Sequence, residues 1–212
     1  MRIACLHTAA SNIGIFEQAA SRLALPAGQL HHVVQSRLLE EAEKHGGITQ
    51  AISSQTLRII TELLENADAV LVTCSTLGTI ADAAQSSFNK PVLRTDRALA
   101  EQALESGQSV TLLCTAPTTL QPTTDLFRQI FADTPITPDI RLIDKAWNIF
   151  RSGDSATYNR MIADAAETAY QQGAQLVVLA QTSMASASAL ISRERKVLDA
   201  PTAALRRITA EV

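Results

Sequence analysis

Cys74 and Gln181 occupy equivalent positions in two similar stretches of the chain, and both side chains can take part in proton or hydrogen-bond chemistry. Residues 67–77 align with residues 174–184, an offset of 107 residues (181 − 74). A thiol can act as an acid, a base or a nucleophile. A carboxamide does not titrate in a useful range, and it only donates and accepts hydrogen bonds.

A second pair of apolar runs repeats at the same offset. Residues 3–9 align with residues 110–116, so Thr8 corresponds to Thr115, and 115 − 8 is again 107. Two repeats at one spacing indicate a duplicated α/β unit. They predict two pseudo-symmetric lobes with a cleft between them, in which a ligand meets a thiol on one side and an amide on the other.

Cys74 follows an apolar run, 69–73, and precedes a helix that we expect to begin near Ser75 or Thr76. A helix N-terminus carries free N–H groups and positive potential. This environment favours the thiolate form of a cysteine, and the same N–H groups bind carboxylates. A buried structural thiol is the other interpretation, since free cysteines are among the most buried residues.

Eight short apolar runs predict strands that are buried on both faces. The runs do not alternate apolar with polar residues, which is typical of parallel strands covered by helices. Stretches with helical periodicity lie between them. We therefore predict an α/β fold with two lobes, each a parallel sheet flanked by helices. The predicted strands are residues 2–6, 30–34, 69–73, 92–94, 110–114, 140–143, 176–180 and 197–198.

The predicted lobe boundaries follow from the repeat. Lobe one comprises residues 1–96 with 201–212 and carries Cys74, and lobe two comprises 97–200 and carries Gln181. A helix follows the last strand of each lobe, and the C-terminal helix is expected to return to lobe one.

Polar residues follow four of the predicted strands, and ligands of parallel α/β folds bind at these carboxyl ends. We expect the four loops to converge on one ligand. His7 can donate a hydrogen bond or carry a proton near neutral pH, or it can be a histidine satisfied at a strand end. The loops are His7–Thr8, Cys74–Ser75–Thr76, residues 115–119 with Thr115 and Thr118, and Gln181–Thr182–Ser183.

Composition and motifs exclude several classes of protein. The formal net charge of −3 gives no basic face for nucleic acid. No apolar stretch reaches the roughly 20 residues of a membrane helix. No secretory signal is evident at the start of the sequence. The three cysteines are widely spaced, a pattern that suits a protein of the reducing cytoplasm. Glycine-rich phosphate loops and zinc-ligand spacings are missing, so we predict no cofactor and no metal site. A homodimer is compatible with base rates.

Four stretches resemble the aspartate/glutamate/hydantoin racemase superfamily, in the right order and over nearly the whole chain. They are VTCSTLG at 72–78, PVLRTD at 91–96, TAPTT at 115–119 and VLAQTSM at 178–184. The resemblance implies a pseudo-symmetric, two-lobed α/β enzyme without a cofactor that acts on a small carboxylic or amino acid. In the racemases, one cysteine of each lobe faces the substrate Cα, and one thiolate removes the proton that the other thiol replaces.

Carried onto this sequence, the resemblance implies that Cys74 is the acid/base or nucleophile of lobe one. It also implies that hydroxyls and N–H groups of the strand-end loops hold the substrate carboxylates, with His7–Thr8 in the loop where racemases carry a polar pair. The hydroxyl residues so implied are Ser75, Thr76, Thr115, Thr182 and Ser183.

Gln181 departs from the racemase pattern, because it stands at the second cysteine position. An amide cannot serve as the second base, but it can orient water or stabilise an enolate oxygen. Three hypotheses follow. The first is a Cys74 enzyme that performs single-base racemisation, decarboxylation or maleate-type isomerisation. The second is a non-catalytic carboxylate-binding protein. The third is a displaced thiol pair of Cys74 and Cys114.

Overall fold

The computed structural model describes all 212 residues, which form eight strands, nine α-helices and one 3₁₀ segment. The strands are β1 (Ile3–His7), β2 (Leu30–Val34), β3 (Ala69–Val72), β4 (Val92–Arg94), β5 (Val110–Cys114), β6 (Asp139–Leu142), β7 (Leu176–Leu179) and β8 (Val197–Asp199). The helices are α1 (Ser11–Arg22), α2 (Ser36–His45), α3 (Gln50–Asn66), α4 (Ser75–Gln85), α5 (Thr95–Glu105), α6 (Pro117–Ile130), α7 (Ala146–Arg151), α8 (Ser155–Gln171) and α9 (Ala200–Glu211). The 3₁₀ segment is Thr182–Leu190.

The strands form two four-stranded sheets in which every pairing is parallel. The first sheet has the order β2-β1-β3-β4, and the second has the equivalent order β6-β5-β7-β8. The predicted α/β class with parallel, helix-covered sheets is therefore confirmed. All eight predicted strands are present, and each end lies within one residue of its predicted position.

Two of the four edge strands, β2 and β6, are less buried than the central strands of their sheets. Each has only one neighbour in its sheet, and most of their residues are half-buried or exposed. An edge position accounts for polar residues such as His31, His32 and Arg141 within otherwise apolar runs. β1, β3, β5 and β7 are buried throughout, because strands flank them and helices cover both faces.

The chain separates into two compact units, Met1–Ala98 with Pro201–Val212, and Leu99–Ala200. The boundary after Ala98 falls within α5. In the first unit, one face of the sheet packs against α1 and α9, and Leu205 and Ile208 of α9 lie in the same buried cluster as Ile3. The C-terminal helix is therefore part of the core of the first unit.

The second unit has a core of its own, built around β5, β7 and α8. Tyr158, Ile162 and Ala166 of α8 pack against Leu113 and Val177 of the sheet. One of the stretches with helical periodicity between the predicted strands therefore corresponds to α8, and its apolar residues form the buried face of that helix. No helix of either unit has both the length and the apolar character required to cross a membrane.

Candidate active site

Cys74 lies between β3 and α4 and is the N-cap residue of α4. Its backbone is extended, and its carbonyl oxygen accepts a hydrogen bond from the N–H of Leu77 at 3.1 Å. The residue is only 9% exposed and joins the buried cluster that contains Leu77 and Ile80. The predicted helix start is therefore present, and the thiol stands beside the free N–H groups of a first helical turn.

Ser75 and Thr76 occupy the first turn of α4, directly after Cys74. Ser75 is half-buried and Thr76 is exposed. The first-turn N–H groups of an α-helix have no partner within the helix, so these two residues offer both amides and hydroxyls to an anion. The loop is chemically suited to a carboxylate beside a thiol.

A buried ion network anchors α4 to the segment that follows β4. Arg94 donates from Nε and Nη2 to the carboxylate of Asp96 at 2.6 and 2.7 Å, and from Nη1 to Asp82 of α4 at 2.8 Å. Arg97 donates from Nε to Asp82 at 2.9 Å. Gly78 makes room for the guanidinium, since a Cβ there would lie 2.5 Å from Nε of Arg94. The network fixes the helix that Cys74 begins.

The pKa values of this network reflect its ion pairs. Burial acts to raise the pKa of Asp82, but hydrogen bonds from Arg97 and Arg94 outweigh it and hold the pKa below its ordinary value. Burial acts to lower the pKa of Arg94, and its bonds to Asp96 and Asp82 raise it overall. These pKa shifts keep Asp82 and Arg94 charged at neutral pH.

His7 ends β1 and is fully buried, with both ring nitrogens hydrogen-bonded. Its Nδ1 lies 2.8 Å from Oγ1 of Thr73, the residue before Cys74, and its Nε2 lies 2.8 Å from Nδ1 of His32. Nε2 of His32 lies 2.9 Å from Oε1 of Glu17 on α1. A polar chain thus runs from the partly exposed Glu17 to the strand end that carries Cys74.

His32 and Glu17 were missed by sequence reasoning. His32 pairs with Cys5 in the parallel register of β1 and β2, and this register was the signal that could have placed it near His7. Burial, and then the electrostatic interaction with the neighbouring ring of His32, lower the pKa of His7 to about 4. The imidazole of His7 is therefore neutral at pH 7. Thr8 follows His7 and is buried.

Gln181 follows β7 and precedes the 3₁₀ segment, and its side-chain oxygen accepts three hydrogen bonds. The donors are the N–H of Thr115 at 2.6 Å, the hydroxyl of Thr115 at 2.8 Å and the N–H of Ala116 at 3.0 Å. Three donors around one atom assign that atom as the carbonyl oxygen of the amide. The NH₂ group of Gln181 therefore points away from this loop.

The hydroxyl of Thr115 continues into a second polar chain. It lies 2.9 Å from the hydroxyl of Tyr158, which in turn lies 2.9 Å from the hydroxyl of Ser183. Burial raises the pKa of Tyr158, although hydrogen bonds from Ser183 and Thr115 oppose the rise. Gln181, Thr115 and Ser183 thus belong to one hydrogen-bond network. Tyr158 also belongs to it, although the sequence analysis did not identify this residue as part of the site.

The remaining predicted residues differ in exposure. Thr118, in the first turn of α6, is exposed, and Thr182, at the start of the 3₁₀ segment, is half-buried. Cys114 is fully buried in β5, and burial raises the pKa of its thiol to about 12. A thiol with that pKa is protonated at neutral pH and is poorly suited to act as a base.

Residues 8–208 match the family model described as Asp/Glu/Hydantoin racemase, which covers nearly the whole chain. A comparison with curated proteins finds no match.

Solved structures share the fold at low sequence identity. An aspartate racemase homologue from Pyrococcus horikoshii has a TM-score of 0.69 and 14% identity, over 99% of this chain and 97% of that chain. Allantoin racemase from Klebsiella pneumoniae has a TM-score of 0.70 and 17% identity, over 99% and 86%. Glutamate racemase from Francisella tularensis, solved with D-glutamate, has a TM-score of 0.64 and 15% identity, over 99% and 80%.

Proposed function

Because the chain belongs to the Asp/Glu/hydantoin racemase family, we propose that it is a cofactor-independent racemase-like enzyme in which Cys74 is the only thiol that transfers protons. The substrate is a small carboxylic or amino acid with an acidic Cα–H. The position of Cys74 at the N-terminus of α4 supports this role, since a helix end binds a carboxylate beside the thiol.

The orientation of the Gln181 amide is the observation that carries the proposal. Its oxygen is held by the N–H groups of Thr115 and Ala116 and by the Thr115 hydroxyl. Only the NH₂ group can then face a ligand, and an NH₂ group donates hydrogen bonds but accepts none. Where a racemase of this family has its second thiol, this chain offers a fixed hydrogen-bond donor. Such a donor suits the oxygen of a carboxylate or an enolate.

The proposed reaction passes through an enolate. The Cys74 thiolate removes the α-proton, the C–H bonding electrons delocalise into the carboxylate, and the NH₂ group of Gln181 donates to the oxygen on which charge develops. The planar enolate turns within the site, and the Cys74 thiol returns a proton to the opposite face of Cα, which inverts the centre and restores the thiolate. That both residues act on one substrate is part of the proposal, and it rests on the internal repeat and on the family.

The hydroxyl residues of the loops divide into two groups in this proposal. Ser75, Thr76, Thr8, Thr118 and Thr182 bind the substrate carboxylates. Thr115 and Ser183 act through the network that orients Gln181, because the Thr115 hydroxyl already donates to the Gln181 oxygen. His7 contributes by supporting Thr73 rather than by touching the substrate, since both of its ring nitrogens have partners.

Exchange of the α-proton in deuterium oxide tests the proposal. The wild-type protein and a Cys74→Ser variant are incubated with a panel of small amino, hydroxy and dicarboxylic acids, and NMR follows the α-proton signals. We expect at least one acid to take up deuterium with the wild type and none to do so with Cys74→Ser. Cys114→Ser, a change at another buried cysteine, is the matched control and retains exchange.

Other outcomes of the exchange experiment would support a different function for the protein. Loss of carbon dioxide or double-bond isomerisation that depends on Cys74 would indicate the decarboxylase or maleate-isomerase alternative. Binding of an acid that raises the melting temperature without any turnover would indicate a carboxylate-binding protein. Loss of exchange in Cys114→Ser would favour the displaced thiol pair. Each of these results would contradict the reaction proposed here.

A further inference from the structure

Three side chains that can ligate a metal ion meet on one face of the first sheet, and one of them, His7, contacts Thr73 beside Cys74. Cys5, His7 and His32 place one ligand atom each within 4.8 Å of one another. We propose that these three residues bind a divalent transition-metal ion of the zinc class. The proposal does not depend on the function of Cys74.

The sheet itself brings the three residues together. Cys5 and His7 are two positions apart on β1, so both point to the same face. His32 on β2 is the register partner of Cys5. Helix α1 covers this face, where Phe16 is fully buried and its ring centroid lies 5.4 Å from that of His7. Positions 5, 7 and 32 form no recognised zinc spacing, so the sequence alone predicted no site.

The outer nitrogen of each histidine already has a partner of the kind that metal-ligating histidines use. Nδ1 of His7 lies 2.8 Å from the Thr73 hydroxyl, which donates in turn to the carbonyl oxygen of Leu6 at 3.1 Å. Nε2 of His32 lies 2.9 Å from the carboxylate of Glu17. With Thr73 donating to Leu6, both outer nitrogens carry hydrogen. Such partners fix the tautomer and the ring orientation of histidine ligands.

In this arrangement the two inner nitrogens, Nε2 of His7 and Nδ1 of His32, lie 2.8 Å apart, and each points a lone pair at the other. A metal ion placed between the two nitrogens would accept both lone pairs. A metal ion uses the thiol of Cys5 as well, and the carboxylate of Glu17 lies beside the site to offset its charge.

Zinc would require the three ligand atoms to shift, because Zn–S and Zn–N bonds at tetrahedral angles place sulfur about 3.6 Å from each nitrogen, whereas the ligand atoms here lie within 4.8 Å of one another. Zn–N bonds of about 2.0–2.1 Å at tetrahedral angles separate two nitrogens by about 3.3 Å. The two rings must therefore part by about half an ångström, and His32 at the edge strand can move because its side chain is 11% exposed. Three protein ligands leave a fourth position for water.

Binding replaces the thiol proton of Cys5 by the metal ion. The S–H bond breaks, an S–metal bond forms from the same electron pair, and the proton leaves to solvent. No electron is transferred. The site therefore releases about one proton for each metal ion bound near neutral pH.

Cobalt and zinc titrations of the full chain test this site. The protein is treated with a chelator, kept in a non-thiol reductant and titrated with Co²⁺, whose thiolate complexes absorb in the near ultraviolet. We expect one equivalent of Co²⁺ to produce a thiolate-to-cobalt band, and one equivalent of Zn²⁺ to displace it. Calorimetry in two buffers of different ionisation enthalpy should show the release of about one proton per ion.

Matched variants separate the site from adventitious binding. Cys5→Ser should lose the band, and His32→Gln should weaken binding at least about tenfold, as should Glu17→Gln through its hydrogen bond to His32. His31→Gln changes the neighbouring, exposed histidine, and Cys114→Ser changes another fully buried cysteine. Both should bind as the wild type does.

Three results would overturn the proposal. They are the absence of stoichiometric binding to folded wild-type protein, binding without a thiolate band, and binding that His32→Gln leaves unchanged. His32→Gln also covers the case in which Cys5→Ser fails to fold, because His32 lies at the edge of the sheet. Neither metal readout requires turnover, so failure here and failure of the proposed function are distinguishable.

Discussion

At Gln181, one side chain combines a structural acceptor with a candidate catalytic donor. Its oxygen satisfies two backbone N–H groups and one hydroxyl, all from Thr115 and Ala116. Buried donors without partners destabilise a fold, so the residue type at this position is constrained by the loop as well as by chemistry. The surrounding donors therefore hold the Gln181 side chain in one orientation.

Gln181→Glu separates the two roles of this side chain. A carboxylate still accepts from Thr115 and Ala116, so the melting temperature should stay within a few degrees of the wild type. Its second oxygen cannot donate and carries negative charge, so Cys74-dependent exchange should fall about 10²-fold or more. NMR exchange rates and thermal melts on the same samples measure both effects.

Gln181→Ala and Gln175→Ala complete that comparison. Gln181→Ala removes the acceptor for three donors and should cost about 1–3 kcal/mol in the free energy of unfolding. Gln175 accepts one bond at an exposed site, from the N–H of Ser109, so its loss should cost about 0.5 kcal/mol or less. Equal losses for the two alanine variants, or full exchange activity in Gln181→Glu, would refute the dual role.

At the scale of elements, helix α4 is held at both of its faces. Its buried face joins the core through Leu77 and Ala81, and Asp82 ties it to Arg94 and Arg97. A helix held in this way gives the thiol at its N-terminus a fixed position. Two predictions concern this anchorage.

Gly78→Ala should destabilise the protein although alanine is the better helix former. The new Cβ would lie 2.5 Å from Nε of Arg94, whose guanidinium is pinned by its bonds to Asp96 and Asp82. Overpacking of this kind costs about 1–3 kcal/mol in the free energy of unfolding, measured by urea denaturation. In Gly14→Ala of α1, where a Cβ meets nothing within 4 Å, we expect a gain of about 0.5–1 kcal/mol. Stabilisation by both changes would contradict this account.

The ion network makes stability depend on pH through Asp82. Burial opposes ionisation, but bonds from Arg97 and Arg94 lower its pKa in the folded state below the ordinary value of 3.8. Because the pKa of Asp82 is lower in the folded protein than in the unfolded chain, the ionised carboxylate stabilises the folded state above pH 3.8. This stabilisation is lost as the pH falls through the pKa of the folded state. Asp82→Asn should therefore unfold more easily than the wild type at pH 7, and the difference should shrink in acid.

Urea denaturation between pH 7 and pH 3 measures that dependence. Asp164→Asn, an exposed aspartate of α8, is the control and should track the wild type across the range. A constant difference between Asp82→Asn and the wild type at every pH would argue against a charged network.

At the scale of the whole molecule, the duplicated unit appears as two sheets of the same order and direction. Each unit has its own core, and the first is completed by α9 from the far end of the chain. The family match spans both units. A shared ligand cleft, a cytoplasmic location and a homodimer stay predictions of the sequence.

Leu205→Ala tests the contribution of the C-terminal helix to the first unit. Leu205 is fully buried in the cluster that contains Ile3 and Leu71, so its truncation should cost about 2–5 kcal/mol in the free energy of unfolding. Val212→Ala, at the exposed C-terminal residue, should cost less than about 0.5 kcal/mol. Chemical denaturation measures both, and a similar small effect for the two would mean that α9 does not stabilise the unit.

The sequence by itself determined the fold class, the strands and the family. Strands buried on both faces of a parallel sheet appear in the sequence as apolar runs without alternation. All eight predicted strands lie within one residue of their predicted ends. The position of Cys74 at a helix start followed from the change of pattern after β3. Strand positions and helix starts depend on residues that are close together in the chain, so the sequence alone is enough to predict them.

Only the tertiary structure decided which polar groups meet. The three donors on the Gln181 oxygen, the Tyr158 hydroxyl between Thr115 and Ser183, and the pairing of His7 with His32 join residues that are 25 to 66 positions apart. Such contacts depend on strand register and on the helix that covers each face. Strand register follows from the hydrophobic pattern of paired strands and from the connections between them, so no single motif shows which polar groups become neighbours.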